Sequence, residues 1–543
     1  MGRKLSIQLT NCGALPYLGW IRSTPITTPR ATDARVARSG FAGRARRPPH
    51  PRVPQSANGR YFTPHTVTQK NFIANQWVPA ASGETIPVLN PSDGKAFDAI
   101  ARSGEADVDR AVVAARAAFE GEWGQMAPAA RSRLLMRIAF ALLDRQEELA
   151  QLESADAGKP IKQARADAAA VARYFEFYAG AVDKLHGETI PYTPGFTVLT
   201  VREAHGVTGH IVPWNYPLQI FGRSVGAALA AGNACVVKPA EDACLSLLKV
   251  AEIAAEVGLP AGALNICTGY GHEAGAALSA HPGIDHISFT GSPQTGKMVA
   301  HAAAENHVPV TLELGGKSPQ IVFDDADLDA AMPVLLAAII QNAGQTCSAG
   351  SRVLIQRGVY EKVLARLGEA FSATVTGPAA QDLDVGPLIS ARQHDRVRGF
   401  LAEAEAEGLK VAARGKLKDG APDSGFYQPP VLFRDVPPKS RLAQEEVFGP
   451  VLAAMVFDTE EEALEIANGT LYGLVAGVWT RDGGRQLRLA RKLRAGQVFV
   501  NNYGAGGGVE LPFGGSRQSG YGREKGFEAL YGFTTLKTIA IRH

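Results

Sequence analysis

The chain has 543 residues, 45% hydrophobic and 20% charged, which excludes wholesale disorder and suggests about three to four domain-sized units. Its 58 Gly and 33 Pro follow no three-residue period, which excludes a collagen-like chain, and five Cys exclude a disulfide scaffold and fit a reducing compartment. Net charge is +3, but residues 1–67 hold ten Arg, one Lys and one Asp, so the remaining 476 residues carry −7, which counts against nucleic acid as a partner.

Residues 1–67 also hold eight Pro and little apolar periodicity, so disorder is expected there, with no role in folding or activity. Arg-rich, acid-poor composition suits an organelle transit peptide and Met1-Gly2-Arg3-Lys4-Leu5-Ser6 fits the myristoylation pattern; a segment outside the selected protein, from a misplaced start, is the leading alternative and a basic interaction tail the last. Ordered patterning begins near Phe72-Ile73-Ala74-Asn75-Gln76-Trp77-Val78. Apolar residues at three- and four-residue spacing predict long amphipathic helices over 105–119 and 129–157. From Gly206 strands alternate with helices. Strands are expected over 206–212, 234–238, 263–267 and 286–290, with helices over 218–231 and 245–257, after 267, and from Thr295. This beat implies right-handed βαβ units and a parallel sheet, whose ligands sit beyond the carboxyl ends of the strands. The apolar stretch over 332–340 has nine residues, and no run approaches 18, so no membrane span is expected.

The usual dinucleotide fingerprint is missing, because Gly269-Tyr270-Gly271 is followed by Gly275, one residue too late. Gly291-Ser292-Pro293-Gln294-Thr295-Gly296 lies directly between a strand and a helix, where free N–H groups can hold a phosphate; Ser292 is there either a ligand hydroxyl or a plain N-cap. Lys238 and Glu241 follow another strand. A carboxylate at that place accepts from ribose hydroxyls and repels a 2′-phosphate, or it is an ordinary charged strand end. Cys347 sits among Gly and small polar residues, which allows a reacting group to approach, although a lone Cys also serves as a small buried hydrophobe. Glu313, between two Leu, is either a general base of raised pKa or the salt-bridge partner of Lys317. No His or Cys spacing fits a metal site.

Together these motifs resemble the aldehyde dehydrogenase superfamily, NAD-dependent and hydrolytic in type. The resemblance rests on Pro213-Trp214-Asn215-Tyr216-Pro217, Lys238-Pro239-Ala240-Glu241, Phe289-Thr290-Gly291-Ser292, Glu313-Leu314-Gly315-Gly316-Lys317-Ser318-Pro319, Gly344-Gln345-Thr346-Cys347, Glu446-Val447-Phe448-Gly449-Pro450 and Pro512-Phe513-Gly514-Gly515, in order over roughly residues 70–543. It implies an α/β fold in three parts. These are a parallel-sheet, Rossmann-like NAD-binding domain over 68–181 and 205–314, an α/β catalytic domain over 315–512, and a small β oligomerisation element with the C-terminal tail over 182–204 and 513–543. It implies Cys347 as nucleophile, Asn215 with the Cys347 N–H as oxyanion hole, and Glu313 as the base for hydrolysis. Trp214, Lys238, Glu241, Thr290, Gly291, Ser292, Glu446 and Phe448 become the NAD-binding positions.

The expected reaction is oxidation of an aldehyde to a carboxylate through a Cys-linked thiohemiacetal and thioester. The partners expected are a small-molecule aldehyde and further copies of the chain, as a homodimer or homotetramer. The expected location is cytoplasmic, or mitochondrial if 1–67 is a transit peptide. A CoA-acylating relative is the competing enzyme reading, and such relatives generally lack a base where this chain has Glu313. A binding protein retaining the fold is the other competitor, against which intact Cys347, Asn215 and Glu313 count. Arg223 resembles a tunnel residue of succinic semialdehyde dehydrogenases, which usually carry a second Arg where this chain has Gln341. It is thus half of a carboxylate clamp, or a residue paired structurally.

Overall fold

Short runs of buried, β-branched and small residues build the sheet that positions the site. In the computed structural model, which describes residues 69–504 and 508–543, the parallel strands Leu264–Ile266, Ala234–Pro239, Val207–Val212, His286–Thr290 and Val310–Glu313 lie side by side in that order. Antiparallel pieces close both edges: the hairpin of Asn71–Ile73 and Gln76–Val78 beside Leu264–Ile266, and Gly520–Tyr521 beside Val310–Glu313. The chain builds outward from Val207–Val212 in one direction, then returns to His286–Thr290 on its other flank. That reversal leaves a crevice beyond the carboxyl ends of these two neighbouring strands.

The helix Pro217–Ala231 starts with Pro at its first turn and ends at Gly232, whose φ of 101° a side chain would resist. It is buried on nearly all sides, packing Phe221 against Phe175 of Ile161–Ala181 with ring centroids 6.4 Å apart. The periodicity over 129–157 predicts one helix, but two form: Pro128–Asp144 and Gln146–Ala157, broken at Arg145 (φ −105°, ψ 16°). Leu142 and Leu149, seven residues apart, are both buried, so the apolar stripe runs on across the break and hides it. The helix expected after 267 opens as a wide turn of π-helical type over Gly271–Gly275 before Ala276–Ala280, and the next begins at Pro293, two residues early, capped by Ser292.

A second sheet holds seven strands in the order Lys410–Arg414, Val431–Arg434, Val451–Phe457, Arg352–Gln356, Pro319–Val322, Val475–Trp479 and Gln497–Val500, all parallel except the first pair. Alternate residues serve opposite faces: Ile321, Leu354 and Met455 join one core, Val322, Ile355 and Ala454 the other. A third, antiparallel sheet pairs Thr534–Arg542 with Phe196–Ala204 over nine residues and adds Thr189–Ile190. The fold is α/β. The extension over 1–67 and the loop residues 505–507 lie outside the described residues.

Candidate active site

Loops leaving the strand ends of the first sheet carry most of the residues singled out above. Trp214 and Asn215 follow Val207–Val212 at once. Trp214 meets Phe448 edge to face, with centroids 5.3 Å apart, and so touches the loop before Val451–Phe457 of the second sheet. Phe448 has a φ of 60°, a strained backbone for an aromatic residue. Lys238, at the end of Ala234–Pro239, donates through Nζ to Glu241 Oε2 at 3.0 Å. Beside Glu241 a cavity of about 300 Å³ is bounded by Asp242, Tyr270 and Arg392. Thr290 ends His286–Thr290, Gly291 donates its N–H to the Glu313 carbonyl at 3.0 Å, and Ser292 Oγ accepts from Thr295 N at 3.2 Å. Ser292 is therefore an N-cap, with its helix N-terminus at the crevice.

Glu446 accepts the Gly316 N–H at 2.9 Å, and burial pushes its carboxyl up to about 7, with that N–H and Lys317 pulling the other way. The chain carries two glycines here for a packing reason. A Cβ on Gly315 would lie 2.2 Å from the Glu446 carboxylate, and one on Gly316 would lie 2.5 Å from the Cys347 carbonyl oxygen.

Cys347 lies in the connection between Leu328–Ile340 and Arg352–Gln356. It lines a cavity of about 900 Å³ together with Asn215, Tyr216, Arg223, Tyr503 and Phe513. Burial pushes its thiol up to about 11, while Arg223 acts in the opposite direction. Asn215 Nδ2 donates to the Gln345 carbonyl at 2.9 Å, which leaves its second hydrogen for another acceptor. The Asn215 carbonyl accepts from Asn342 Nδ2 at 2.8 Å, so the two loops are tied twice.

Glu313 ends Val310–Glu313 and is 1% exposed. Among the described residues neither of its carboxylate oxygens has a hydrogen-bond partner, so it is not the salt-bridge partner of Lys317. Burial raises its pKa well above the ordinary carboxyl range, Arg223 opposing and Glu524 reinforcing. An unpartnered buried acid costs stability and suits a group that must exchange protons.

Arg223 lines the cavity, but its guanidinium is engaged. Nε pairs with the fully buried Glu524, Nη2 donates to Thr290 Oγ1 at 3.1 Å, and the group lies over the Phe513 ring at 5.0 Å. Gln341 lines the same cavity.

Several buried polar residues escaped the sequence reading. Arg352 is fully buried and donates to the carbonyls of Lys317, Ile466 and Ala467. Glu153, Lys159 and Asp167 form a buried charge cluster. The available signal was an acid on the apolar stripe: Glu153 is four residues after buried Leu149, and Asp167 three after buried Ala164.

A parallel sheet with a switch-point crevice, in a chain that also holds a Gly-flanked cysteine and an unpartnered buried acid, suits the class of dinucleotide-dependent oxidoreductases. Residues 77–539 match the profile of the aldehyde dehydrogenase family, and the chain belongs to that family. It is 43% identical over 480 residues to the Escherichia coli NADP/NAD-dependent aldehyde dehydrogenase PuuC, covering 88% of this chain and 96% of that one. A crystallised family member from Burkholderia cenocepacia superposes with a TM-score of 0.87 at 72% identity, over 87% of this chain and 100% of the other. An aldehyde dehydrogenase from Bacillus cereus, solved with NAD+, gives 0.85 at 40% identity over 88% of this chain and 97% of the other. This protein is an oxidoreductase that oxidises aldehydes to carboxylates with NAD as cofactor.

Proposed function

We propose that Cys347 is the nucleophile of a hydrolytic, NAD-preferring aldehyde dehydrogenase, with Asn215 as oxyanion donor and Glu313 as base. The observation that carries this reading is the meeting of Cys347 with Asn215 in one cavity. Glu313, a buried carboxyl with no hydrogen-bond partner among the described residues, does not line that cavity but acts electrostatically on the Cys347 thiol. The Cys347 thiolate attacks the aldehyde carbon, and the second Asn215 N–H with the Cys347 N–H faces the developing oxyanion. NAD supplies the hydride acceptor. Glu313 then takes a proton from the water that attacks the Cys347 thioester, which a CoA-releasing enzyme would not need. NADH formation without added CoA tests the hydrolytic reading; a strict requirement for CoA would overturn it.

The crevice residues fit a dinucleotide. Lys238 and Glu241 suit a ribose diol, and Ser292 with the first turn of Pro293–Ala304 suits a phosphate. Glu446, with one oxygen already fixed, suits the second ribose, while Trp214, Thr290, Gly291 and Phe448 shape the walls. Glu241 would oppose a 2′-phosphate, so NAD should be preferred to NADP, and Glu241→Ser should narrow the gap in kcat/KM. Equal efficiency with both cofactors in the wild type, as the name of the Escherichia coli relative allows, would place Glu241 away from the ribose.

The Arg223 charge is held by Glu524, so a substrate carboxylate should gain only the lower end of an ion-pair effect, about fivefold in kcat/KM over an uncharged aldehyde of equal length. Arg223→Ala should cost more in stability than in specificity, about 3–5 kcal/mol, because it leaves Glu524 buried and unpaired. Thermal unfolding and a two-substrate comparison separate the two effects. A large loss of carboxylate preference with an unchanged Tm would reverse this assignment.

Self-association is supported by the outer strand Thr534–Arg542, which has an open edge and exposes Leu536 and Ile541. The proposed division into a cofactor domain (68–181, 205–314), a catalytic domain (315–512) and an oligomerisation element (182–204, 513–543) draws support from the eight-, seven- and three-stranded sheets, except that within 513–543 Gly520–Tyr521 pairs with the first sheet and only Thr534–Arg542 joins Phe196–Ala204. A cytoplasmic location is supported by four free thiols among the described residues. No described helix is long and apolar enough to cross a membrane.

A further inference from the structure

The segment leading to Cys347 is conformationally expensive. Asn342, Ala343 and Gly344 have φ of 49°, 53° and 71°, three left-handed residues in succession, two of them with side chains. Such backbone persists only where the surroundings over-determine it. On one side Gln163 of the helix Ile161–Ala181 accepts the Asn342 N–H at 3.0 Å. On the other, Asn215 and Tyr216 precede the helix Pro217–Ala231, and Tyr216 OH shares a hydrogen bond of 2.9 Å with Thr346 Oγ1, the residue before Cys347. The separation of these two helices therefore bears on how Asn215 meets Cys347.

A buried ion cluster ties the two helices together. Lys159 Nζ donates to Glu153 Oε1 at 2.5 Å and to Asp167, and lies 4.2 Å from the centroid of the Tyr216 ring. Glu153 Oε2 accepts the Leu218 N–H at 3.2 Å, in the first turn of Pro217–Ala231. Asp167, on Ile161–Ala181, accepts from Gln219 Nε2 at 2.5 Å. Burial disfavours the Lys159 cation, but Asp167 and Glu153 outweigh it and hold its pKa above that of an ordinary lysine. Lys159 itself is fully buried. Charge is thus kept in the interior where an apolar packing would serve stability as well or better, and buried ionic groups of that kind fit a demand for fixed geometry.

We propose that Lys159, Glu153 and Asp167, acting through Tyr216 and Thr346, form a positioning device that sets the distance between the Asn215 amide and the Cys347 sulfur. None of the five touches the reacting atoms in this scheme; they are positioning residues. The inference rests on Cys347 and Asn215 being the reacting pair.

Tyr216→Phe is the sharpest probe, because it removes one hydroxyl and keeps the ring over Lys159. The pre-steady-state NADH burst rate should fall about three- to tenfold. NAD affinity, Tm and the iodoacetamide alkylation rate of Cys347 should stay at wild-type values, since the thiol and the fold are untouched. Thr346→Val should give the same loss, and the double variant no more than either single one, because both remove one contact. Lys159→Met should lower the burst rate further, with Lys159→Arg restoring part of it; should Lys159→Met fail to fold, the Tyr216 and Thr346 pair still decides. An unchanged burst in Tyr216→Phe, or additive losses in the double variant, would overturn the proposal. So would a parallel fall in Tm and NAD affinity, which would make the contact merely structural. Failure of the underlying reading is distinguishable: Cys347→Ala would then retain turnover, whatever Tyr216→Phe does.

Discussion

Cys347→Ala should abolish aldehyde oxidation, lowering turnover by about four orders of magnitude or more, while NAD binding and Tm stay close to wild type. Without the thiol no covalent adduct forms, and the cavity, Asn215 and Glu313 have nothing to act on. The side chain is half-buried and small, so its truncation leaves little void. NADH production under saturating aldehyde, with NAD affinity measured by fluorescence titration, reads both halves of this expectation. Turnover within about a hundredfold of wild type would take the nucleophile away from Cys347.

Glu313→Gln should separate the two half-reactions. The first NADH burst should survive, because thiol attack and hydride release need no base for water. Steady-state turnover should fall about 10²- to 10⁴-fold, since Gln cannot accept the proton of the attacking water. Wild-type turnover should rise with pH above the ordinary carboxyl range, because the Glu313 carboxyl is raised by burial and becomes a base only as it loses its proton. The Cys347 thiol, pushed up to about 11, acts in the same direction. Stability should run the opposite way. A carboxyl raised in the folded state holds its proton more tightly than in the unfolded chain, so its contribution to stability is lost as pH rises above the ordinary carboxyl range. Glu313→Gln should remove that loss and be at least as stable as wild type in alkaline solution. A lost burst would mean that Glu313 also takes the Cys347 proton; an unchanged steady-state rate would remove Glu313 from the reaction.

The alternating strands from 206 to 290 were legible because each is a short buried run followed by a helix of clear period, and the strand His286–Thr290 matches its expected bounds. The break at Arg145 was not, since both helices keep burying the same stripe and no Gly or Pro marks the turn. The motif residues of the site could be named from the sequence because chemistry restricts their types. Their partners could not. That Glu313 has no salt bridge, and that Arg223 gives its charge to Glu524 some 300 residues later, depend on long-range packing that no local pattern encodes. The cluster of Glu153, Lys159 and Asp167 lay between these cases: charges on apolar stripes were visible, but not their meeting behind Tyr216.

The most direct test of the account is the mass of the enzyme during turnover. Glu313→Gln, mixed with aldehyde and NAD and quenched in acid, should gain the mass of one acyl group per chain, and proteolysis should place it on the peptide carrying Cys347. Hydroxylamine should remove it, as expected of a thioester. An unmodified chain after a full NADH burst, or an acyl group on any other residue, would contradict covalent catalysis by Cys347 with hydrolysis driven by Glu313.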